Sequence, residues 1–457
     1  MDEEGDASLC PGGVCRSGRC DLEQWSRTMG GGPMDWAESV TMDALGNVYV
    51  LGLFEGSIDL GAGSMSAIDD SLDVFVASYG PDGAYRWATT FGSPGSDNAL
   101  EIAYEASSDR IVFAVRSGQS IDFGGGPSST TGSRITVVAL ESDGRYAWEF
   151  ELPWYLAIGL CASNAIYVTG RFDASYDFGD GERSPRGGAD GYIVSHASDG
   201  VFQRVHQLRA RPGGTVQPID IECGLPDDDL VVTGLASGDV DFGDGDVSNE
   251  TTTAFATRFT SSLATDSTYI PSSETMSTQS VGYAITADSD GNVYVGGWFT
   301  GTIDFGGGGS VDATGAGFVV SLSDSMTYET VETWPGADDF RILSIQVDSG
   351  NRVIVGGAFE GSVNLGGGLR SAPPGGAAFI AEFDSSLTHR SDELLTLPGF
   401  PAVSCPSSSC ESRVNDLDIG PADSTAVVGY FLGTVSIGGE TRTSASGHDG
   451  FVYRLGD

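Results

Sequence analysis

The sequence predicts an all-β chain, a seven-bladed β-propeller of four-stranded blades whose ring is closed by an N-terminal strand completing the last blade. Three observations lead there. A Gly- and Asp-rich phrase recurs seven times, a second apolar run keeps step with it, and the chain stops one strand short of a full last unit.

The phrase reads NVYVLGLFEGSIDLGAG at 47–63 and RIVFAVRSGQSIDFGGG at 110–126. It returns as AIYVTGRFDASYDFGDG (165–181), DLVVTGLASGDVDFGDG (229–245), NVYVGGWFTGTIDFGGG (292–308) and RVIVGGAFEGSVNLGGG (352–368). The last and most degraded copy is AVVGYFLGTVSIGG at 426–439. The marker positions are Asp59, Asp122, Asp177, Asp241, Asp304, Asn364 and Ser436, spaced 63, 55, 64, 63, 60 and 72 residues apart. An apolar run such as DVFVASY (from Asp73) or DGFVYRL (from Asp449) follows each marker. Short runs rich in Val, Ile, Tyr and Phe, bounded by Gly, Asp and Pro, are strand signals. DALGN and GPDG supply turns that tolerate positive φ, and no segment carries a helical stripe.

Blade one reads as four strands: ESVTM, NVYVLGLFEG, DVFVASY and YRWATTF. The chain ends after DGFVYRLGD, the third strand of blade seven, and the missing Trp-bearing fourth strand is found in DLEQWSRTMGG with Trp25. The expected boundaries are a cysteine-bearing Gly-rich tail at 1–20 and a propeller at 21–457. Residues 21–31 form the outer strand of blade seven. The blades run roughly 36–92, 97–152, 155–209, 216–271, 280–335, 340–397 and 413–457. Trp25, Trp87 and Trp148 share the outer-strand position and are expected to pack between blades.

Residues 21–457 resemble the bacterial SBBP-type seven-bladed β-propeller repeat proteins. The resemblance rests on D-x-x-G-N-V-Y-V (43–50 and 288–295), F-x-G-x-x-D-F-G-G-G and D-x-F-V-x-x-Y; blades two, four and seven depart from the phrase. It implies the fold and an exported or surface-anchored location, and carries over no catalytic residue.

Composition excludes several functions. With 64 Asp+Glu, 22 Lys+Arg, every one of them Arg, and a net charge of -42, the chain lacks the cationic surface that nucleic acid requires. Lysine chemistry, such as a Schiff base or a Walker-type loop, is excluded outright. No stretch is apolar and long enough to enter a membrane directly. The start, Met1-Asp2-Glu3-Glu4, lacks the regions of a signal peptide. Either the chain is cytosolic or it is a mature exported form, lipoprotein-like and held at the cell surface through a segment absent from it; the cysteines favour the second.

The marker aspartates have two readings. As oxygen ligands they suggest a ring of calcium sites; as caps they accept backbone N–H bonds of the glycine turn. Near-constant loop length favours the cap. Asp288-Ser-Asp290-Gly-Asn292 resembles a calcium loop, but blade one keeps the turn without the middle acid. Four histidines, His196, His206, His389 and His448, show no metal-ligand spacing. Asp43, Glu101, Glu105, Asp220, Glu222, Asp288 and Asp348 lie on or near first strands; paired carboxylates there could do glycoside chemistry, while in a chain this acidic coincidence is the default reading. Trp36 and Trp154 precede first strands and are the ligand-contact candidates.

Cys161 and Cys223 end the first strands of neighbouring blades, a separation a disulfide can bridge. Cys405 and Cys410 bracket an insertion that a local disulfide would close. Cys10, Cys15 and Cys20 leave an odd count in the tail. Paired cysteines point to an oxidising compartment. The leading functional expectation is a non-enzymatic, exported binding or scaffold module for a protein or glycan, with no cofactor. The alternative is a carbohydrate-active enzyme, a glycosidase or lyase, using channel carboxylates.

Overall fold

Apolar residues on both faces of a strand need a packing surface on each side, and this requirement shapes the fold. In the strand Val48–Glu55, Val48, Val50 and Phe54 enter one buried cluster with Val40, Phe75, Val428 and Val452. Tyr49, Leu51 and Leu53 point the other way, into a second cluster with Ile102, Phe113 and Val138. The period of two thus feeds two cores from one strand.

The computed structural model describes residues 13–16, 19–22, 24–128, 133–153, 158–273, 275–395 and 411–455. Among them the regular structure is β-strand with three single 3₁₀ turns, and no helix is long and apolar enough to cross a membrane. The tail contributes a short hairpin, Gly13–Arg16 with Arg19–Leu22, whose register sets Cys15 opposite Cys20. The chain divides into two compact units.

Unit one runs up to Glu149 and includes Pro373–Ala378 and the residues from Leu394 onward. Its first sheet is the meander Asp35–Met42, Val48–Glu55, Leu72–Tyr79, Tyr85–Phe91. The second is Asn98–Glu105, Arg110–Ser117, Arg134–Glu141, Tyr146–Pro153, whose last residues enter unit two. In the last sheet, Glu411–Ile419, Thr425–Leu432 and Asp449–Leu455 are followed by the N-terminal strand Trp25–Met29. That strand pairs antiparallel with the C-terminal one, Trp25 opposite Arg454 and Met29 opposite Gly450.

Unit two spans Phe150–Ala372 and Phe379–Glu393. Its meanders begin with Gly159–Ala162, Thr215–Cys223, Gln279–Ala287 and Ala337–Val347. Its buried clusters lie between successive sheets: Tyr167, Ile193 and Leu208 with Val232 and Phe255, then Ala254 and Ala256 with Val295 and Phe318. Repeated four-stranded antiparallel meanders packed face to face are propeller-like architecture.

The outer-strand tryptophans hold neighbouring sheets together. Trp25 Nε1 donates to Pro81 O at 3.1 Å, and Trp87 Nε1 donates to Ser142 O at 3.0 Å. Each ring lies over a turn glycine, Gly83 (φ 74°) or Gly144 (φ 89°), where a Cβ would come within 2.7 or 3.0 Å of the indole. Trp25 also packs 6.1 Å from Tyr79, and the Arg27 guanidinium sits 5.5 Å over that same ring.

A chain lacking residues 1–33 should lose at least about 3 kcal/mol, because it removes fully buried Met29 together with Trp25. It should also self-associate through the freed edge of Asp449–Leu455. Chemical denaturation and sedimentation velocity read the two effects; a monomer as stable as the full chain would contradict the structural role of this strand.

Candidate functional site

The first strand of a sheet carries the same irregularity in case after case. A β-bulge interrupts its pairing with the second strand between Ala37 and Ser39, Ala99 and Glu101, Pro218 and Asp220, Gly282 and Ala284, Ile342 and Ser344, and Val414 and Asp416. A bulge re-aims the side chains around it. In three of these strands the residue after the bulge reaches the next first strand. Asp416 Oδ2 accepts the Val40 N–H at 2.9 Å, Ser39 Oγ accepts the Ile102 N–H at 3.2 Å, and Asp220 Oδ2 accepts the Ile285 N–H at 2.8 Å.

Two residues further on the pattern repeats in unit one. Asp418 Oδ2 accepts the Met42 N–H at 2.7 Å, and Thr41 Oγ1 accepts the Tyr104 N–H at 3.1 Å. Their second oxygens are also used: Asp416 Oδ1 accepts from Leu417 N, Asp418 Oδ1 from Ile419 N and Asp220 Oδ1 from Ile221 N, each at 2.8 Å. Burial pushes Asp418 up to about 7 against these N–H donors.

Around this polar ladder unit one gathers its candidate site. Ser39 Oγ lies 2.5 Å from Glu101 Oε1 and 2.9 Å from Asp416 Oδ2. The bulged Glu38 takes the Asn415 amide at 3.4 Å. Burial pushes Glu38 up to about 7, opposed by Arg413 and reinforced by Asp416. Half-buried Trp36 stacks on Tyr430 with centroids 5.2 Å apart and meets the His448 ring edge-on at 6.1 Å. Tyr430 donates to Glu411 Oε1 at 3.0 Å, and His448 Nε2 sits 3.5 Å from Glu411 Oε2. Trp36 is thus built into an aromatic and carboxylate cluster. Trp154, Cys10, Cys405 and Cys410 lie outside the described residues, as do the side chains of Cys15 and Cys20.

The marker acids sit at hairpin tips. Asp59 Oδ1 accepts the N–H groups of Gly61 and Gly63 at 2.8 and 3.1 Å. Asp122, Asp177 and Asp241 do the same with their own glycine pairs, and Asp304 accepts from Gly306 at 2.8 Å. Asn364 makes the same two bonds at 2.9 and 3.0 Å without a charge, so the turn needs an acceptor rather than an anion.

Asp43, Asp288 and Asp348 lie just past their strands and cap the following turn. Asp43 takes Leu45 N, Asn47 N, Asn47 Nδ2 and Tyr49 OH. Asp288 takes Asp290 N, Asn292 N and Asn292 Nδ2; Asp348 takes Gly350 N, Arg352 N and Arg352 Nε. Glu105 caps its own turn through Ser107 and Ser108.

Among the described residues no group of three or more His, Cys, Asp or Glu is placed to hold a metal ion. His196 is stacked on Phe150, centroids 3.7 Å apart, and burial pushes it down to about 4. His389 instead meets Asp392 at 2.9 Å, beside Arg370 at 2.6 Å.

Cys161 and Cys223 form a disulfide across two first strands of unit two, with Cα atoms 6.0 Å apart. Glu101 and Asp220 stand where the sequence places first strands, whereas Asp416 and Asp418 carry a weaker local signal. That signal is the alternation N-D-L-D-I at 415–419, just before the most degraded copy of the turn phrase.

No family model matches this chain, and no curated protein matches it. Solved structures similar to it include the Dos1 propeller (TM-score 0.45, 11% identity, covering 95% of each chain). The polysaccharide lyase Uly1 gives TM-score 0.47 at 8% identity, covering 99% of this chain and 95% of that one. A subtype N11 neuraminidase-like protein of an influenza virus from a flat-faced bat gives TM-score 0.38 at 11% identity, covering 78% and 86%. At these scores the likenesses carry no argument about activity or partner.

Asp59→Asn should be nearly neutral, whereas Asp59→Ala should cost up to about 1 kcal/mol of folding stability; equal losses in denaturant titrations would contradict the acceptor role. For the disulfide, the chain-entropy estimate at a separation of 62 residues is about 4 kcal/mol. The Cys161→Ser, Cys223→Ser double variant should lose stability on that scale, and dithiothreitol should have no further effect arising from this pair.

Proposed function

We propose that the chain closes a seven-bladed β-propeller and acts as an exported, non-enzymatic binding or scaffold module for a protein or glycan partner. The observation that carries this reading is the use made of first-strand acids. Asp220, Asp416 and Asp418 give both carboxylate oxygens to backbone N–H groups. A general acid or base must be free to reach the reacting atom, and these groups are engaged in joining strands. The Cys161–Cys223 disulfide supports export, since such bonds persist in oxidising surroundings. A net charge of -42 disfavours nucleic acid as the partner.

One observation favours the alternative of a glycosidase or lyase. Glu38, brought near neutrality by burial, stands beside Arg413 and in the strand that carries Trp36. That environment suits a general acid. The deciding experiment applies the purified protein to an array of glycans and to envelope proteins, with a parallel assay for new reducing ends or unsaturated products. Saturable capture without turnover is expected. Turnover that disappears in Glu38→Gln would sink the binding reading in favour of the enzyme.

A further inference from the structure

Two buried arginines occupy the same place in two sheets, one in each unit. Arg258 lies opposite Val231 in the strand Asp246–Phe259, and Arg454 lies opposite Ala426 in the strand Asp449–Leu455. They are 5% and 1% exposed. Both reach the neighbouring sheet in the same way. Arg258 Nη1 donates to Asp324 O and Arg454 Nη1 to Pro81 O, each in a turn that follows a third strand. Each guanidinium also lies under a turn glycine. A Cβ on Gly291 would come 3.1 Å from Arg258 Nη2, and one on Gly46 would come 3.2 Å from Arg454 Nη2. The equivalent positions of three other sheets hold Ser78, Ser195 and Ser321, which are neutral.

The two arginines differ in their counter-charge. A 3₁₀ turn precedes the second strand in both sheets, Pro226–Asp228 and Pro421–Asp423. The residue after it is Asp229 in one sheet and Ser424 in the other. Asp229 Oδ2 stands 3.4 Å from Arg258 Nε and brings a negative charge to it. Ser424 Oγ accepts from Arg454 Nη2 at 3.0 Å and brings none. Among the described residues Arg454 bonds only to neutral oxygens, and its Nε is buried without an acceptor. Burial pushes the Arg454 guanidinium below its ordinary value, and no neighbouring acid opposes that.

A buried carboxyl or lysine can shed its charge by titrating, but a guanidinium stays protonated in a protein. A desolvated guanidinium therefore needs an anion against it. The acids elsewhere in a chain of net charge -42 do not take that part, since exposed charges beyond about 8 Å are screened at physiological salt.

We propose that Arg454 is a binding site for a halide ion such as chloride, held against Nε in the place that the Asp229 carboxylate takes beside Arg258. A halide carries the single charge required and brings no donor that would itself need an acceptor there. Arg454 pairs with Trp25 across the C-terminal and N-terminal strands, and both side chains donate to Pro81 O. The ion thus stabilises the sheet in which the chain's two ends meet.

The test compares denaturant unfolding of the full chain in sodium chloride and in sodium gluconate at equal ionic strength. Above the dissociation constant, each tenfold rise in chloride should lower the unfolding constant of the parent chain by up to about tenfold. Ser424→Asp puts a carboxylate where Asp229 stands and should remove this response, leaving only the general effect of salt. Arg454→Met provides the same test should that variant not fold. Asp229→Ser should enlarge the response by exposing Arg258 to the same need. Crystals of the parent chain grown in sodium bromide should show an anomalous peak beside Arg454 Nε. The same chloride response in the parent and in the folded variant, or bromide found only on the exterior, would overturn the proposal.

Discussion

A four-stranded sheet with two apolar faces is unstable alone, and everything else in this protein depends on that constraint. Val50 and Leu51 are adjacent in sequence yet enter different cores, because successive strand side chains point to opposite faces. Each sheet therefore borrows half of its burial from a neighbour. At roughly 25 cal/mol per Å² of apolar surface removed from water, the main driving force lies between sheets rather than within them. That is why so many small devices at the sheet margins, including the indoles of Trp25 and Trp87 over turn glycines, serve to hold one sheet against the next.

The polar side of the same problem is solved on the first strands. Where neighbouring first strands are not paired in one sheet, their backbone N–H groups need acceptors. A bulge turns the following side chain toward the neighbour, and Asp220, Ser39, Asp416 and Asp418 supply the acceptors. Acids in a central position look like chemistry in a sequence. Here most of them serve as backbone caps, which leaves Glu38 and the Trp36–Tyr430–His448 cluster as the part of the site not absorbed by the fold.

Acid abundance divides in the same way. Asp59, Asp122, Asp177, Asp241 and Asp304 close glycine turns, while Asp43, Asp288 and Asp348 close the tight turns after first strands. Both groups could be picked out from the sequence because their spacing to glycine is local and repeated. Among the buried acids where strands begin, Asp73 and Asp449 open the repeated D-x-F-V run, whereas Asp35 and Asp97 belong to no repeated phrase. Their donors are nevertheless local, N–H and O–H groups two to five residues before each acid.

What the sequence by itself determined was the class of the fold and the unit of repetition. A period of two over short apolar runs, a turn phrase at near-constant spacing and a Trp-bearing segment at the N-terminus are local facts, and local backbone preference is enough to read them. The Cys161–Cys223 pairing was also legible, because repetition places both residues at equivalent strand ends. What only the tertiary structure decided was which acids are occupied and which are not. That depends on the bulges, on which N–H group each carboxylate faces and on how much water is removed from it. Asp416 and Glu38 are both acids on first strands, yet one is saturated by backbone donors and the other is desolvated beside Arg413. Burial and partner geometry set that difference, and both arise from contacts between segments hundreds of residues apart.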